Sequence, residues 1–302
     1  MGPQPPVIDI AEAGREHVHR AIDAACRDWG VFQLVGHGID LRLFAALRRQ
    51  MRALFDAPLE DKVAISRSAA NPWGFYDREL TRHTRDWKQV YDYGPPDGAG
   101  AVPQWPQGLP AFQPIVHAFY DACDALSLRL LRVIARNLGM PAESLDAHFR
   151  PAHTSFLRLN YYPACPQPVK PLGVNPHTDS GAITLLLQDL PGLQVWRKGA
   201  WWPIAPRADA LTVNIGDVVQ VWSNDRYVAP LHRVLASAEE RFSAPFFFNP
   251  AYATNYAPLP SVVDARHPPR YRPINWREFR AQRAAGDYAD AGEYLQISRY
   301  AI

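Results

Sequence analysis

The spacing of apolar residues predicts helices in the first half of the chain. Apolar side chains recur every three or four residues in the segments 13–29, 41–57 and 112–138. A compact apolar run at 31–35 predicts a short strand between the first two helices. Residues 71–110 are rich in Gly, Pro and aromatic residues and show no helical period, so we expect short strands and long loops there.

The pattern changes after Pro151, where short β-rich runs follow one another with turn residues between them. These runs lie at 154–162, 182–188, 193–196, 210–216, 217–222, 231–236 and 241–248. Strands at such spacing, without helices between them, are typical of an antiparallel barrel or sandwich. Helical spacing returns near 276–285.

Composition narrows the class of protein without naming a reaction. The chain has 302 residues, of which 47% are hydrophobic and 21% charged, and its net charge is +2. This balance gives no reason to expect nucleic acid or an anionic membrane as a partner. The N-terminus lacks the pattern of a secretion signal, and the three cysteines show no CxxC spacing. We therefore expect a cytoplasmic protein without a disulfide framework.

Two histidines and one aspartate form a candidate metal site. His177 and Asp179 flank Thr178, just before the run 182–188, and alternate residues of an extended segment point to the same side. A single histidine in a buried strand, such as His232, is more often a core residue than a ligand. Two imidazoles and one carboxylate on one face, however, are the donor set of non-haem iron(II) oxygenases.

Two further pairs of polar residues recur at alternate strand positions. Arg241 and Ser243 share one face of a strongly apolar run, where an unpaired arginine would be costly. An arginine can grip a carboxylate through two parallel hydrogen bonds, and a serine can add a third. Upstream, Asn160 and Tyr162 share a face by the same alternation.

These motifs stand in the order NYYP (160–163), HTD (177–179), HRV (232–234) and RFS (241–243). In this order and spacing the chain resembles the isopenicillin N synthase-like group of 2-oxoglutarate/Fe(II)-dependent dioxygenases. The likeness covers nearly the whole chain, including GVFQLVGHGI at 30–39. It implies a mostly β fold with flanking α-helices around a double-stranded β-helix, or jelly roll.

The resemblance also implies cofactors and residue roles. Fe(II) would be held by His177, Asp179 and His232. The cosubstrate 2-oxoglutarate would be bound by Arg241 and Ser243, with Tyr162 and Asn160 assisting. With O2, such an enzyme abstracts hydrogen from an unactivated C–H bond of a small molecule. The outcome would be hydroxylation, desaturation, demethylation or oxidative cyclisation, in natural-product or specialised metabolism.

The same resemblance suggests how the chain is organised. Residues 1–302 would form a single catalytic unit, with an N-terminal helical and loop region at 1–110. The jelly-roll core would span 151–255. A C-terminal helical segment at 271–302 is a candidate lid, in which Tyr288 and Tyr294 could close the site.

Five residues are candidates for substrate binding. Phe247 and Asn249 continue the face of Arg241, and Arg158 lies two residues before Asn160. Tyr91 and Phe75 come from the aromatic region 71–110. An aromatic wall of low charge would suit an aromatic or apolar small molecule. Arg158 could instead belong to a structural ion pair.

Three other functions compete with this hypothesis. An isopenicillin N synthase-like oxidase would use iron and O2 without 2-oxoglutarate. A metal-free binding protein on the same scaffold should lack a ligand or the arginine, and neither is lost here. A metal-dependent isomerase or hydrolase on a cupin-like barrel would usually gather more histidines. The oligomeric state is left open by the sequence.

Overall fold

The computed structural model describes residues 4–81, 84–96, 100–166, 172–287 and 296–302. The helices in these ranges are α1 (Glu16–Asp28), α2 (Leu41–Phe55), α3 (Leu59–Val63), α4 (Phe112–Asn137), α5 (Asp217–Trp222) and α6 (Trp276–Asp287). The strands of the first half are β1 (Val7–Asp9), β2 (Val31–Val35), β3 (Gly74–Tyr76), β4 (Leu80–Thr81), β5 (Thr84–Arg85) and β6 (Gln89–Tyr93). The strands of the second half are β7 (Phe156–Tyr162), β8 (Leu172–His177), β9 (Ile183–Gln188), β10 (Leu193–Arg197), β11 (Ala200–Pro203), β12 (Leu211–Ile215), β13 (His232–Leu235), β14 (Arg241–Phe248), β15 (Asn255–Tyr256) and β16 (Ile274–Asn275).

Strands β7 to β14 are divided between two sheets, with the consecutive strands β10 and β11 paired in the same one. The major sheet has the order β1-β2-β12-β9-β14-β7-β6-β3, and the minor sheet has the order β11-β10-β13-β8. The pairings among β7 to β14 are all antiparallel. Side chains from both sheets line one cavity between them. This is the jelly roll that was predicted, with helices around it.

The N-terminal region completes the major sheet at both of its edges. Strand β2 pairs with β12, so that Leu34 lies opposite Leu211. At the other edge, β6 pairs with β7 and places Val90 opposite Asn160. Residues before 110 therefore contribute directly to the wall that carries the candidate site.

The long helix α4 covers the outer face of the major sheet. Most of its apolar positions are buried, as the helical spacing predicts, and Phe119 contacts Phe44 of α2 edge to face. Tyr120 meets the ring of Phe246 on β14 at a centroid distance of 5.0 Å. Each such large side chain contributes about 1.5–3 kcal/mol through removal from water. This core holds the sheet rigid behind the site.

The prediction of a strand at 217–222 is wrong, because these residues form the helix α5. Its valines are β-branched, and such residues favour strands, so local propensity predicted a strand here. All of Val218, Val219, Val221 and Trp222 are buried, so neither a period of two nor one of 3.6 is visible in the pattern.

The three cysteines of the chain are free thiols. Cys26, Cys123 and Cys165 are all buried and none forms a disulfide. Among the described residues, no helix combines the length and apolar character that crossing a bilayer requires.

Candidate active site

Alternate residues of two neighbouring strands build one wall of the cavity. In the pairing of β14 with β7, Arg241 lies opposite Tyr162 and Ser243 lies opposite Asn160. Residues directly opposite each other in antiparallel strands point to the same face. All four side chains line the cavity, as the alternation predicts. Val234 of β13 is among the residues that close the cavity on the side of the minor sheet.

Three potential metal ligands meet in this cavity. His177, at the end of β8, is the pairing partner of His232 on β13, and Asp179 follows in the next loop. Asp179 Oδ1 lies 3.7 Å from His177 Nε2 and 3.6 Å from His232 Nε2. One donor atom of each residue lies within 4.8 Å of the others. Within the described residues, no other group of three His, Cys, Asp or Glu side chains meets this condition.

Backbone carbonyls fix both imidazole rings. His177 Nδ1 lies 2.8 Å from the carbonyl oxygen of Asn175, and His232 Nδ1 lies 3.0 Å from that of Pro230. If each Nδ1 carries the proton and donates it, each Nε2 is left with a free lone pair. Histidines that ligate metals are usually oriented in this way.

The carboxylate is oriented by two side chains on the major sheet. Asp179 Oδ2 accepts a hydrogen bond of 2.6 Å from Thr184 Oγ1 and another from Asn214 Nδ2. These bonds occupy Oδ2, so that Oδ1 is the oxygen that faces the two histidines. The neighbouring strands β9 and β12 thus determine the orientation of the potential ligand.

The loop that carries the ligands is held from two sides. A Cβ atom on Gly216 would lie 2.2 Å from the carbonyl oxygen of Gly181, so only glycine permits this close approach. From α6, Arg283 donates a hydrogen bond of 2.5 Å from Nη2 to the carbonyl oxygen of Thr178, between His177 and Asp179. The C-terminal helix is thereby tied to the ligand loop.

Burial and neighbouring charges set the protonation of the group. Burial, together with the proximity of His232, lowers the pKa of His177 to about 3. Burial alone would raise the pKa of Asp179, but the two histidines and the hydrogen bonds from Thr184 and Asn214 hold it below its usual value. At neutral pH, His177 is therefore neutral and Asp179 is ionised, which is the state that metal binding requires.

Arg241 has an unused donor in the interior. The residue is only 1% exposed, and it donates from Nε to the carbonyl oxygen of Leu190 (3.0 Å) and from Nη2 to Gln188 Oε1 (3.1 Å). Its Nη1 is buried without a hydrogen-bond partner among the described residues. Nearby, Asn160 donates to Ser243 Oγ over 3.2 Å. An arginine in this state fits an anionic oxygen supplied by a bound molecule.

A cluster of buried charges forms another part of the cavity wall. Arg158 contacts Asp92 Oδ1 at 2.7 Å and Glu79 Oε2 at 2.6 Å. Lys88 Nζ lies 3.2 Å from Asp86 Oδ2 and 3.7 Å from Glu79 Oε2. Glu79, Lys88 and Arg158 all line the cavity. Arg158 thus forms the structural ion pair that the sequence left as an alternative.

The predicted substrate-binding residues separate into two groups. Phe247, Asn249 and Arg158 line the cavity. Tyr91 and Phe75 do not, and the expectation for them is corrected: both are buried in the core behind the sheet. Their strand register turns them away from the cavity, and this register could not be derived from the loop-rich sequence.

Tyr91 shows why the register matters. It pairs with Leu159, which lies on the opposite face of β7 from Arg158 and Asn160. Its hydroxyl donates to the carbonyl oxygen of Gln104 over 2.6 Å. The pairing of β6 with β7 places Tyr91 on the face of the sheet that points away from the cavity.

Several cavity residues were not identified from the sequence. They include Glu79, Lys88, Thr184, Asn214, Arg280 and Arg283. Thr184 could have been found, because alternation along the run after Asp179 places it on the inward face. Arg280 and Arg283, three residues apart on α6, share a helix face, but nothing local indicates that this face meets the barrel. Tyr288 and Tyr294, the candidate lid residues, lie outside the described residues.

Family models match two parts of the chain. The 2OG-Fe(II) oxygenase superfamily matches residues 153–250, which contain all the candidate ligands. The model described as the non-haem dioxygenase in morphine synthesis N-terminal region matches residues 5–108.

Curated proteins and solved structures are similar over most of the chain. Jasmonate-induced oxygenase 2 of Arabidopsis thaliana is 33% identical, over 91% of this chain and 78% of the relative. Oxoglutarate-dependent flavonoid 7-O-demethylase 1 of Ocimum basilicum is 30% identical, over 91% and 77%. The crystal structure of JOX2 with 2OG, Fe and JA matches with a TM-score of 0.87 at 30% identity, covering 99% of this chain and 90% of that one. The crystal structure of the dioxygenase for auxin oxidation in rice matches with a TM-score of 0.80 at 26% identity, over 99% and 100%.

The chain therefore belongs to the 2-oxoglutarate/Fe(II)-dependent dioxygenases. It is an oxidoreductase that uses Fe(II), 2-oxoglutarate and O2 and acts on a small molecule. This outcome favours the leading hypothesis over an oxidase that dispenses with 2-oxoglutarate.

Proposed function

We propose that His177 Nε2, Asp179 Oδ1 and His232 Nε2 hold the Fe(II) ion. The three atoms come from two strands and one loop of the jelly roll, and the partners of Nδ1 and Oδ2 leave these atoms directed toward one another. Two nitrogens and one oxygen suit Fe(II) and leave coordination positions open for cosubstrate and O2.

Arg241 is the proposed anchor for the far carboxylate of 2-oxoglutarate, with Ser243, Tyr162 and Asn160 beside it. The observation that carries this proposal is the buried Nη1 of Arg241, which has no partner in the described part of the chain. A carboxylate oxygen there would form a charge-assisted hydrogen bond and relieve the cost of an unpaired buried donor. The iron would supply the oxidising chemistry when bound.

The protein's own task would be to bind, orient and shield the substrate. Phe156 and Phe247 form a stacked pair in the cavity, with ring centroids 4.7 Å apart. Asn249 adds a polar group that is fully buried. We therefore propose a substrate with an aromatic or apolar body that packs against these rings.

The reaction is proposed to be hydroxylation, desaturation, demethylation or oxidative cyclisation in specialised metabolism. The names of relatives, such as flavonoid 7-O-demethylase and gibberellin 20 oxidase, support this range.

Residues 1–302 would act as a single catalytic unit, with the 151–255 core completed by 1–110. The segment 271–302 would cover the cavity, because Arg280 and Arg283 of α6 already line it. The three free thiols favour a cytoplasmic location.

Succinate formation tests the proposal. Purified protein is supplied with Fe(II), O2 and 2-oxoglutarate, and succinate is measured in the presence of a substrate panel. We expect succinate formation that requires both iron and 2-oxoglutarate and that falls strongly in Arg241→Gln. Robust substrate oxidation without 2-oxoglutarate would contradict the proposal and favour the alternative oxidase.

A further inference from the structure

The cations that line the cavity differ in how they are neutralised. Lys88 and Arg158 contact the carboxylates of the buried cluster. Arg283 pairs with Asp217, whose Oδ2 lies 3.3 Å from Nη1, and with the carbonyl oxygen of Thr178. Arg241 is bound to Gln188 and Leu190, and its free Nη1 is assigned above to the cosubstrate.

Arg280 is the exception among these cations. It lines the cavity from α6 and is partly buried, yet it forms no hydrogen bond or ion pair with any described residue. The other cavity cations hold acceptors in fixed geometry, so this difference does not reflect a general shortage of acceptors. A partly buried cation without an anion is costly unless a bound molecule supplies one.

Aromatic rings hold the Arg280 guanidinium in place. Its Cζ lies 5.0 Å from the ring centroid of Phe156 and 5.9 Å from that of Trp276. Both rings are buried, with 5% and 0% exposure. The Phe156 ring in turn stacks on Phe247 in the cavity. Cation–π contact of this kind orients the guanidinium but leaves its N–H groups free for hydrogen bonds.

We propose that Arg280 binds an anionic group of the substrate, specifically a carboxylate, whose apolar or aromatic body packs on Phe156 and Phe247. The proposal rests on the proposed function and adds the chemical class of the substrate. A guanidinium binds a planar carboxylate through two parallel hydrogen bonds, which would place the body of the molecule along the stacked rings. Specificity for acids over neutral analogues follows from this arrangement.

Matched pairs of acids and amides test the proposal directly. The probes are naphthalene-1-acetate, 3-phenylpropionate and cyclohexylacetate, each with its primary amide. Binding is followed anaerobically as a change in the visible band of the protein with Fe(II) and saturating 2-oxoglutarate, and independently by calorimetry. Saturating 2-oxoglutarate occupies Arg241, so that the acids report on the remaining cation.

We expect the acids to bind at least about tenfold more tightly than their amides, as charge-assisted hydrogen bonds imply. Arg280→Gln should abolish this preference, and Arg280→Lys should keep part of it. The matched control is Arg277→Gln on the same helix, because Arg277 lies over Tyr252 and does not line the cavity. This control should bind the acids like the unaltered protein.

Three results would overturn the proposal. They are equal affinity for acids and amides, unchanged acid binding in Arg280→Gln, or no binding by any acid of the panel. Failure of the proposed function is a different observation, the absence of the visible band with Fe(II) and 2-oxoglutarate. In that case calorimetry with the acids still reports on Arg280.

Discussion

Replacing Glu79 with Gln should destabilise the fold by about 3–4 kcal/mol, because it removes the central anion of the buried charge cluster. Glu79 is 1% exposed, and its carboxylate contacts Arg158 at 2.6 Å, Arg67 at 2.7 Å and Lys88 at 3.7 Å. Burial alone would raise its pKa, but Arg158, Lys88 and Arg67 outweigh burial and lower the pKa to about 2.

The magnitude follows from that shift. The pKa falls from its usual 4.5 to about 2, and each pKa unit corresponds to about 1.4 kcal/mol of differential stabilisation. The product is about 3–4 kcal/mol, and breaking a buried ion pair typically costs about 3–5 kcal/mol. Gln keeps the shape of the side chain, so the loss reflects charge rather than a cavity.

The pH dependence gives the prediction a second, independent signature. A depressed pKa stabilises the fold fully above the unfolded value of about 4.5, and this contribution is lost as the pH falls toward 2. The difference in unfolding free energy between the original protein and Glu79→Gln should therefore shrink by about 1 kcal/mol between neutral pH and about pH 3.5. Urea denaturation followed by tryptophan fluorescence at several pH values measures it.

Glu239→Gln is the matched control, because Glu239 is exposed and forms no ion pair in the described structure. We expect this change to alter stability by less than about 0.5 kcal/mol at any pH. If Glu79→Gln cost no more than this control, or if its cost did not vary with pH, the assignment of the cluster as a strong stabilising network would be refuted.

Three further predictions concern the cosubstrate, the ligand sphere and the core. Arg241→Gln should raise the 2-oxoglutarate concentration for half-saturation by about tenfold or more without lowering iron content; an unchanged value in a turnover titration would argue against the anchor. Asn214→Ala should weaken Fe(II) binding by about tenfold or more, because Asp179 loses an orienting hydrogen bond. Competition with a chelator measures the affinity, and an unchanged affinity would show that Asn214 does not orient the ligand. Phe246→Ala should lower the unfolding free energy by about 3–5 kcal/mol, because the ring is fully buried against Tyr120. A loss under about 1 kcal/mol would show that this core repacks freely.

Strand alternation made much of the cavity wall predictable from the sequence. Arg241 and Ser243, and likewise Asn160 and Tyr162, are two residues apart on strands, and the register places the pairs opposite each other. The inward face of a strand repeats every second residue, so a correct strand assignment fixes which side chains meet.

The wrong predictions concern segments in which the sequence pattern does not show which face of a strand or helix packs against the core. Tyr91 and Phe75 lie in a region whose strands are short, and pairing with β7 turns Tyr91 toward the core. The helix α5 was missed because all of its residues except Gln220 are buried. In both cases tertiary packing decided what sequence periodicity could not.

The contribution of α6 was also beyond sequence reasoning. Helical spacing predicted the helix, but not that Arg283 would tie it to Thr178 or that Arg280 would face the cavity. Such contacts join segments about a hundred residues apart in the chain. They depend on how the helix docks on the barrel, which local propensity does not encode.

The iron content of His232→Ala tests the central claim most directly. The unaltered protein, loaded anaerobically with Fe(II) and washed, should hold about one iron per chain and develop the visible band on addition of 2-oxoglutarate. His232→Ala should lose most of the iron and the band, while His267→Ala, which removes an exposed histidine, should retain both. Near-full iron occupancy with unchanged activity in His232→Ala would contradict the proposed site.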